Sequence, residues 1–108
     1  MSILLSALRA HEILLANASS NVANMNTEDY QSIRTTITSS PEGSVDVTTT
    51  RAADASPKGH EDPTTSDVDL ALEFTDMIRA RRGFEAILNT ISMREKMLDD
   101  LMNTLVKK

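Results

Sequence analysis

Residues 66–108 have the sequence SDVDLALEFTDMIRARRGFEAILNTISMREKMLDDLMNTLVKK, which contains no proline. Counted in alternating steps of four and three residues, this stretch predicts a helical seam in which nine of eleven positions are apolar. The eleven positions are Leu70, Phe74, Met77, Arg81, Phe84, Leu88, Ile91, Glu95, Leu98, Met102 and Leu105. At about 1.5 Å per residue such a helix is roughly 60 Å long. The preceding residues are too few to cover it, so we expect a partner helix and partner chains.

Both ends of this helix are indicated by local sequence. Ser66 is the predicted N-cap, and Asp69 stands three residues later, in the second position of a capping box. Acidic residues at its start and two lysines at its end suit the helix dipole. The predicted C-terminal unit is therefore a single helix over residues 66–108.

A second helix is predicted from Ser2 to about residue 25, within an N-terminal unit of residues 1–30. It follows the same four-three spacing, with seam positions Leu4, Leu8, His11, Leu15, Ala18, Val22 and Met25. Further apolar residues widen its surface beyond one seam, which is typical of a helix with several neighbours. The fold class expected is mainly α, with long N- and C-terminal helices packed as an antiparallel coiled-coil hairpin.

Three asparagines, Asn17, Asn21 and Asn24, share one face of the first helix. One interpretation is a solvated polar face. The other is a set of amides that hydrogen-bond across a packed helix interface, since each amide both donates and accepts. The spacing alone does not decide between them.

The middle unit, residues 31–65, is rich in serine and threonine and holds all three prolines. Residues 33–50 alternate weakly around Pro41-Glu42-Gly43, which predicts a short β-hairpin. Ile33, Thr35 and Ile37 would face one way on the first strand, as would Val45 and Val47 on the second. A lone hairpin is marginal in water, so we expect it to pack against the helices or a neighbouring chain. Residues 51–65 have no period and are interpreted as an extended linker.

Composition and motifs exclude several classes of function. The formal net charge of −5 disfavours nucleic acid and anionic membranes as partners. There is no cysteine, no secretory signal peptide and no stretch that could enter a membrane directly. No catalytic or phosphate-binding motif is present, and His11 and His60 fall in different elements, so no enzyme activity, cofactor or metal is expected. With only three aromatic residues, an isolated core would be thin.

Two features of the C-terminal helix have alternative interpretations. Arg81 and Glu95 occupy seam positions, where charges either fix register and partner choice or extend to the rim. Gly83 costs about 1 kcal/mol relative to alanine in a helix. It either marks a close helix crossing or is simply tolerated.

The two ends of the chain together resemble bacterial flagellar axial proteins, the family of rod, hook and hook-associated subunits. The N-terminal resemblance lies in SALRAH (residues 6–11), ASSNVANMNT (residues 18–27) and Tyr30. The C-terminal resemblance lies in SDVDLA (residues 66–71), MI (77–78), RGFEA (82–86) and ML (97–98). The family usually has Thr-Pro-Gly-Tyr where this chain has Thr27-Glu28-Asp29-Tyr30, so the turn there is expected to be looser.

The resemblance implies a structural subunit of the flagellar basal-body rod, closest in size to the small proximal-rod type. In that family the terminal helices pack as a coiled coil, and many copies build a helical tube. Its members pass through the flagellar type III export apparatus without a cleaved signal peptide and assemble beyond the inner membrane with copies of themselves and other rod subunits. The alternative is a non-polymerising two-helix adaptor or export-apparatus partner.

For the rod subunit we expect an isolated chain that is partly unfolded and gains helicity on assembly. The candidate assembly interface comprises Leu4, Leu8, Leu15, Asn21, Val22, Asn24, Leu70, Phe74, Met77, Arg81, Phe84, Leu88, Ile91, Leu98, Met102 and Leu105.

Overall fold

The computed structural model describes residues 2–51 and 68–107. Along the chain lie helix α1 (Ser2–Ala23), strands β1 (Ile33–Ser39) and β2 (Val45–Arg51), and helix α2 (Leu70–Val106). The predicted fold class is confirmed: two helices pack together, and a short antiparallel hairpin stands between them in sequence. Arg51 belongs to β2, and the remainder of the predicted linker lies outside the described residues. The division into three units stays a prediction.

Helix α2 begins later than the sequence suggested, and its N-cap is Asp69. The Asp69 Oδ1 atom accepts hydrogen bonds from the backbone N–H groups of Ala71 (3.1 Å) and Leu72 (3.3 Å). The prediction of Ser66 as the cap was wrong. A carboxylate forms stronger, charge-assisted bonds with these N–H groups than a hydroxyl does, and its charge also suits the positive end of the helix dipole.

The helices run antiparallel, because later residues of α1 contact earlier residues of α2. Leu8 lies beside Phe84, whereas Leu15 lies beside Phe74 and Met77. Helix α1 contacts α2 and also both strands. It is therefore the central element, with the long helix on one side and the hairpin on another.

The contact face of α2 differs in part from the predicted seam. Leu70, Met77, Phe84 and Ile91 are at least half-buried, as the heptad count predicts. The heptad count also places Phe74, Arg81 and Leu88 in the seam, but these three residues are exposed. The residues that are buried or half-buried in their place are Glu73, Ala80 and Ile87, one residue earlier in each heptad. Hydropathy favoured the larger side chains, but the single-chain contact with α1 uses the smaller Ala80 and a buried Glu73.

Strands β1 and β2 pair antiparallel, with Ile37 opposite Val47 and Ser39 opposite Val45. The loop is closed by the Ser40 N–H, which donates to the Ser44 carbonyl at 2.8 Å. Gly43 has a φ of 83°, a left-handed conformation that glycine adopts without steric cost. The apolar residues of both strands are half-buried toward α1, which confirms the predicted facing and the predicted packing on a helix.

The turn after α1 is closed by backbone hydrogen bonds. The Thr27 N–H donates to the Asn24 carbonyl at 3.0 Å, and the Tyr30 N–H donates to the Thr27 carbonyl at 3.3 Å. Asp29 has a φ of 57°, so it adopts the left-handed conformation at the position where the resembling family has glycine. Aspartate tolerates this conformation better than most residues. The turn is therefore formed here without the family's Pro-Gly pair, and the expectation that it is looser than in the family stays a prediction.

Candidate assembly interface

Small residues predominate among the buried apolar residues that the structure describes. Ala10, Ala18 and Ala80 are fully or almost fully buried. Small side chains let two helix axes approach closely, because the separation depends on the side chains at the contact. The single-chain core is consequently narrow and contains little large apolar volume, as the scarcity of aromatic residues suggested.

Gly83 of α2 packs tightly against His11 of α1. A Cβ atom built on Gly83 would stand 2.6 Å from Cε1, 2.7 Å from Nε2 and 2.8 Å from Nδ1 of His11. The imidazole ring therefore fills the space that any side chain at position 83 would need. Of the two interpretations of Gly83, the close crossing is the one observed.

Asn21 links α1 to the base of the hairpin and is fully buried. Its Nδ2 donates to the Ile33 carbonyl at 2.8 Å, and its Oδ1 accepts from the Ile33 N–H at 2.8 Å. The same Oδ1 accepts from the Tyr30 hydroxyl at 3.0 Å. The side-chain amide thus pairs with the backbone of Ile33 as a neighbouring strand residue would.

The other two asparagines differ in their partners. The Asn17 amide donates to the hydroxyls of Thr35 (2.8 Å) and Thr49 (3.4 Å), one on each strand. The Asn24 amide donates to the Ser20 carbonyl within its own helix. The amides of Asn17 and Asn21 therefore do form hydrogen bonds, but with the hairpin rather than across a helix interface. Asn24 instead stabilises the end of α1.

A buried carboxylate joins the hairpin to α2. Glu73 is 1% exposed, and its Oε1 lies 3.4 Å from Nη1 of Arg34 on β1. Burying a carboxylate is costly unless it is paired, so Arg34 offsets the cost that Glu73 incurs. Arg79 of α2 pairs with Asp76, at 3.2 Å.

Helix α2 extends well beyond α1. Every residue from 92 to 106 is exposed, whereas inward-facing residues from 70 to 91 are buried or half-buried. We call residues 92–106 the overhang; at about 1.5 Å per residue it is roughly 22 Å long. Its exposed apolar residues are Met93, Met97, Leu98, Leu101, Met102, Leu105 and Val106.

The apolar surface of the overhang is wide. At about 100° per residue, its apolar residues span roughly 220° of the helix circumference, and Arg94 and Glu95 lie within that span. A two-stranded coiled coil uses a narrow stripe of a and d positions, whereas a broader face requires more than one neighbour. The overhang is therefore shaped to be covered by more than one helix.

A second apolar surface lies beside the helix pair, formed by Leu15 of α1 with Phe74, Met77 and Ile78 of α2. We call these four residues the lateral patch. Phe74 is 48% exposed and Ile78 is 55% exposed. Arg81 borders the patch and pairs with Glu85 at 3.2 Å. Arg81 is thus at the rim rather than in the seam with α1, as one of the two sequence interpretations allowed.

The predicted interface residues fall into three groups in the single chain. Leu4, Leu8, Val22, Leu70, Met77, Phe84 and Ile91 are half-buried, while Asn21 is fully buried and Asn24 is half-buried. The third group is exposed and comprises Leu15, Phe74, Arg81, Leu88, Leu98, Met102 and Leu105. Their role in assembly stays a prediction. The sequence did not predict the burial of Glu73, Ala80 and Ile87, because none of these residues belongs to the heptad that the largest apolar residues define.

Two observations on the described residues concern membrane insertion and metal binding. No helix in residues 2–51 or 68–107 is long and apolar enough to cross a membrane. Within the same ranges, no group of three or more His, Asp or Glu side chains is arranged to hold a metal ion.

Comparison with known protein families gives one match. Residues 64–104 match the family described as flagellar basal body rod FlgEFG protein C-terminal. This match supports the flagellar rod and axial protein family for the C-terminal segment. It covers nearly all of α2, including most of the overhang. No curated protein matches the chain.

The match to the rod family agrees with the nature of the site. The family is structural and is not an enzyme family. A rod-type structural role in the flagellar basal body agrees with a surface built from exposed apolar side chains. The predicted resemblance to the flagellar rod and axial family is thereby confirmed through residues 64–104, and the N-terminal resemblance stays a prediction.

Proposed function

We propose that the chain is a building block of the flagellar basal-body rod, assembling into a helical tube through its terminal helices. The observation that supports this is the overhang. Its roughly 220° apolar face has no partner within the described part of the chain, and burial of apolar surface is the main favourable term in protein association. Neighbouring subunits would supply the missing partners.

The isolated fold also supports assembly as the source of stability. The buried apolar residues among those described are three alanines and Leu14, which is a small core for two helices and a hairpin. Small domains are marginal when little apolar area is buried. A subunit that completes its core only in the tube would remain easy to unfold before then, which suits passage through the flagellar type III export apparatus and assembly beyond the inner membrane.

The first test is the copy number of the chain in purified hook–basal bodies, measured by quantitative mass spectrometry. A rod subunit is expected at several copies per particle. If the chain is absent from particles that contain the other rod subunits, the polymer proposal fails and the non-polymerising adaptor takes its place.

The second test separates the helical interface from the middle of the chain. Leu98→Glu introduces a charge into the apolar face of the overhang, without removing any contact with α1. We expect it to abolish incorporation into the rod. Ala53→Glu is the matched control, because it adds the same charge in the segment that the sequence marks as a linker. Equal incorporation of both variants would contradict an interface at the overhang.

A further inference from the structure

The hairpin has two outer edges, because its sheet consists of β1 and β2 alone. In an antiparallel pair, residues that bond across to the partner strand alternate with residues whose backbone N–H and C=O groups point outward. The Ser40 N–H donates to the Ser44 carbonyl, so this pair bonds across and the next pair, Ser39 and Val45, points outward. The alternation and the register then assign outward backbone groups to Ile33, Thr35, Ile37 and Ser39 on β1 and to Val45, Val47, Thr49 and Arg51 on β2.

Helix α1 occupies one end of each edge. The Asn21 amide bonds both backbone groups of Ile33, and the Ser6 hydroxyl accepts from the Val45 N–H at 3.1 Å. Both contacts agree with the alternation, since Ile33 and Val45 belong to the outward set. Within residues 2–51 and 68–107, the outward backbone groups of three further residues on each strand have no hydrogen-bond partner. These residues are Thr35, Ile37 and Ser39 on β1 and Val47, Thr49 and Arg51 on β2.

The two free stretches, residues 35–39 of β1 and 47–51 of β2, complement each other. Each has three outward residues at alternate positions. When the stretches lie antiparallel with Val47 opposite Ser39, all three outward residues of one meet all three of the other. A hydrogen-bonded pair in an antiparallel ladder exchanges two bonds. Every free N–H and C=O group within the two stretches therefore obtains a partner in this alignment.

The exposed threonines of the hairpin suit the same alignment. It places Thr48 opposite Thr38, and Thr50 opposite Thr36, and all four side chains are exposed in the single chain. Threonines that face each other across two strands stabilise a sheet through hydrogen bonds between their hydroxyls. The alignment thus provides side-chain pairs as well as backbone bonds.

Neither strand carries the features that keep an edge strand apart from other chains. The two strands contain no proline and no lysine, and their register runs without a bulge. In the alignment above, Asp46 meets Ser40 and Arg51 meets Thr35, so no like charges are opposed. The edges are consequently free to accept another strand.

We propose that β2 of one copy pairs antiparallel with β1 of the next, so that the hairpins of successive copies form one continuous sheet. This rests on the proposed function and adds a contact between subunits besides the helices. The partner is a second copy of this chain, because the free stretch on β2 has its complement in length and spacing on β1. A symmetric pairing of two β2 strands would close into a dimer and leave β1 unused. The pairing of β2 with β1 is heterologous and continues from copy to copy, as an open assembly requires.

Disulfide formation tests this pairing without background, because the sequence contains no cysteine. Hook–basal bodies are assembled from a mixture of two single variants, Thr38→Cys and Thr48→Cys, and treated with a mild oxidant. The proposed pairing places these positions opposite each other without backbone bonds, with Cα atoms about 4.5 Å apart, which suits a disulfide. We expect dimers on a non-reducing gel only when both variants are present.

The matched control is a mixture of Thr36→Cys and Asp46→Cys, which are also exposed and on different strands. The proposed pairing leaves these two positions four residues out of register, about 13 Å apart along the strand. This mixture should remain monomeric.

The outcomes separate this inference from the proposed function. If the chain is present in the particles but the Thr38→Cys and Thr48→Cys mixture yields no more dimer than its control, the strand pairing is refuted and the rod role stands. If Thr48→Cys alone gives dimers, two β2 strands meet and the contact is symmetric, which also refutes it. If the unaltered chain is absent from the particles, the proposed function itself fails.

Hydrogen exchange of the unaltered chain provides a second measurement, in case the cysteine variants do not incorporate. In the free chain we expect faster exchange at the outward amides of Ile37, Val47 and Thr49 than at the amides of Thr36 and Thr48, which bond across the hairpin. In assembled particles the outward amides should become protected. Equal exchange of the outward amides in the particles and in the free chain would overturn the proposal.

Discussion

Replacing Gly83 with alanine places two effects of similar size in opposition. In a helix interior alanine is favoured over glycine by about 1 kcal/mol. The added Cβ, however, would stand 2.6–2.8 Å from three ring atoms of His11, so the ring must move. Inserting a methyl group into a packed contact costs about 1–3 kcal/mol. We expect Gly83→Ala to lower the free energy of unfolding by as much as about 2 kcal/mol, despite its better helix propensity.

The cause is isolated by a double-mutant cycle with His11→Ala. Without the imidazole ring, the added methyl group has space, and Gly83→Ala should then stabilise the chain by about 1 kcal/mol. The coupling energy between the two positions is expected to be about 1–3 kcal/mol, whereas distant, independent sites couple by less than about 0.5 kcal/mol.

The assay is urea unfolding of the four chains, followed by far-ultraviolet circular dichroism. Ala86→Gly is the matched control, because Ala86 is exposed in the same helix three residues away. It should lose about 1 kcal/mol through helix propensity alone. The reasoning is refuted if Gly83→Ala stabilises the chain equally with and without the His11 ring, since the ring would then not limit the approach of the helices.

Four further results are expected. Asn21→Ala should lower the free energy of unfolding by about 2–3 kcal/mol, because it leaves both backbone groups of Ile33 without their partner. Asn24→Ala loses bonds only near the end of its own helix, so it should lower the free energy of unfolding much less in the same urea titration. Arg34→Ala should destabilise more than Glu73→Gln, since the first leaves a buried charge unpaired and the second removes that charge; the reverse order in thermal melts would argue against a buried ionised Glu73. Asp29→Gly should raise the free energy of unfolding by about 0.5–1 kcal/mol, because glycine adopts the φ of 57° without strain. If the free energy of unfolding does not rise, aspartate is already unstrained at this position. In the isolated chain, amide hydrogen exchange should be fast across residues 94–106 and slower across residues 77–91. The helicity of the chain should rise on assembly. Uniform protection along α2 in the isolated chain would show that the overhang is stable without neighbours.

Much of the architecture follows from short-range signals in the sequence. The proline-free heptad stretch predicted α2, and the turn residues around Gly43 predicted a hairpin whose inward faces were assigned correctly. These signals depend on backbone geometry and on the spacing of apolar residues, which repeats every two residues in a strand and every three to four residues in a helix. Both can be counted directly in a sequence.

The contact face of α2 could be predicted only in part. The helix has apolar residues on its seam and also beside it, and a count of hydropathy selects the larger ones, Phe74 and Leu88. The intramolecular contact uses Ala80 and Gly83, because close approach of the helices requires small residues, and hydropathy does not measure shape. The burial of Glu73 depends on Arg34, which is 39 residues earlier in the chain, so no local pattern could reveal it.

The asparagine face was left with two interpretations for a similar reason. The spacing of Asn17 and Asn21 shows that they lie together, but their role depends on where the hairpin returns. Once β1 and β2 are placed against α1, their amides are the bonding partners of the strands, and the solvated interpretation no longer applies to them.

The small residues at the helix contact also limit how far α2 can slide along α1. A heptad repeat is nearly unchanged by a shift of seven residues, about 10.5 Å along the axis, so hydropathy alone would permit several alternative alignments of a long helix on a short one. After such a shift Asp76 or Thr90 would face the His11 ring in place of Gly83. Glu73 or Ile87 would likewise replace the fully buried Ala80. Neither alignment leaves the space that the close contact requires, so the length of the overhang is set by the positions of Gly83 and Ala80.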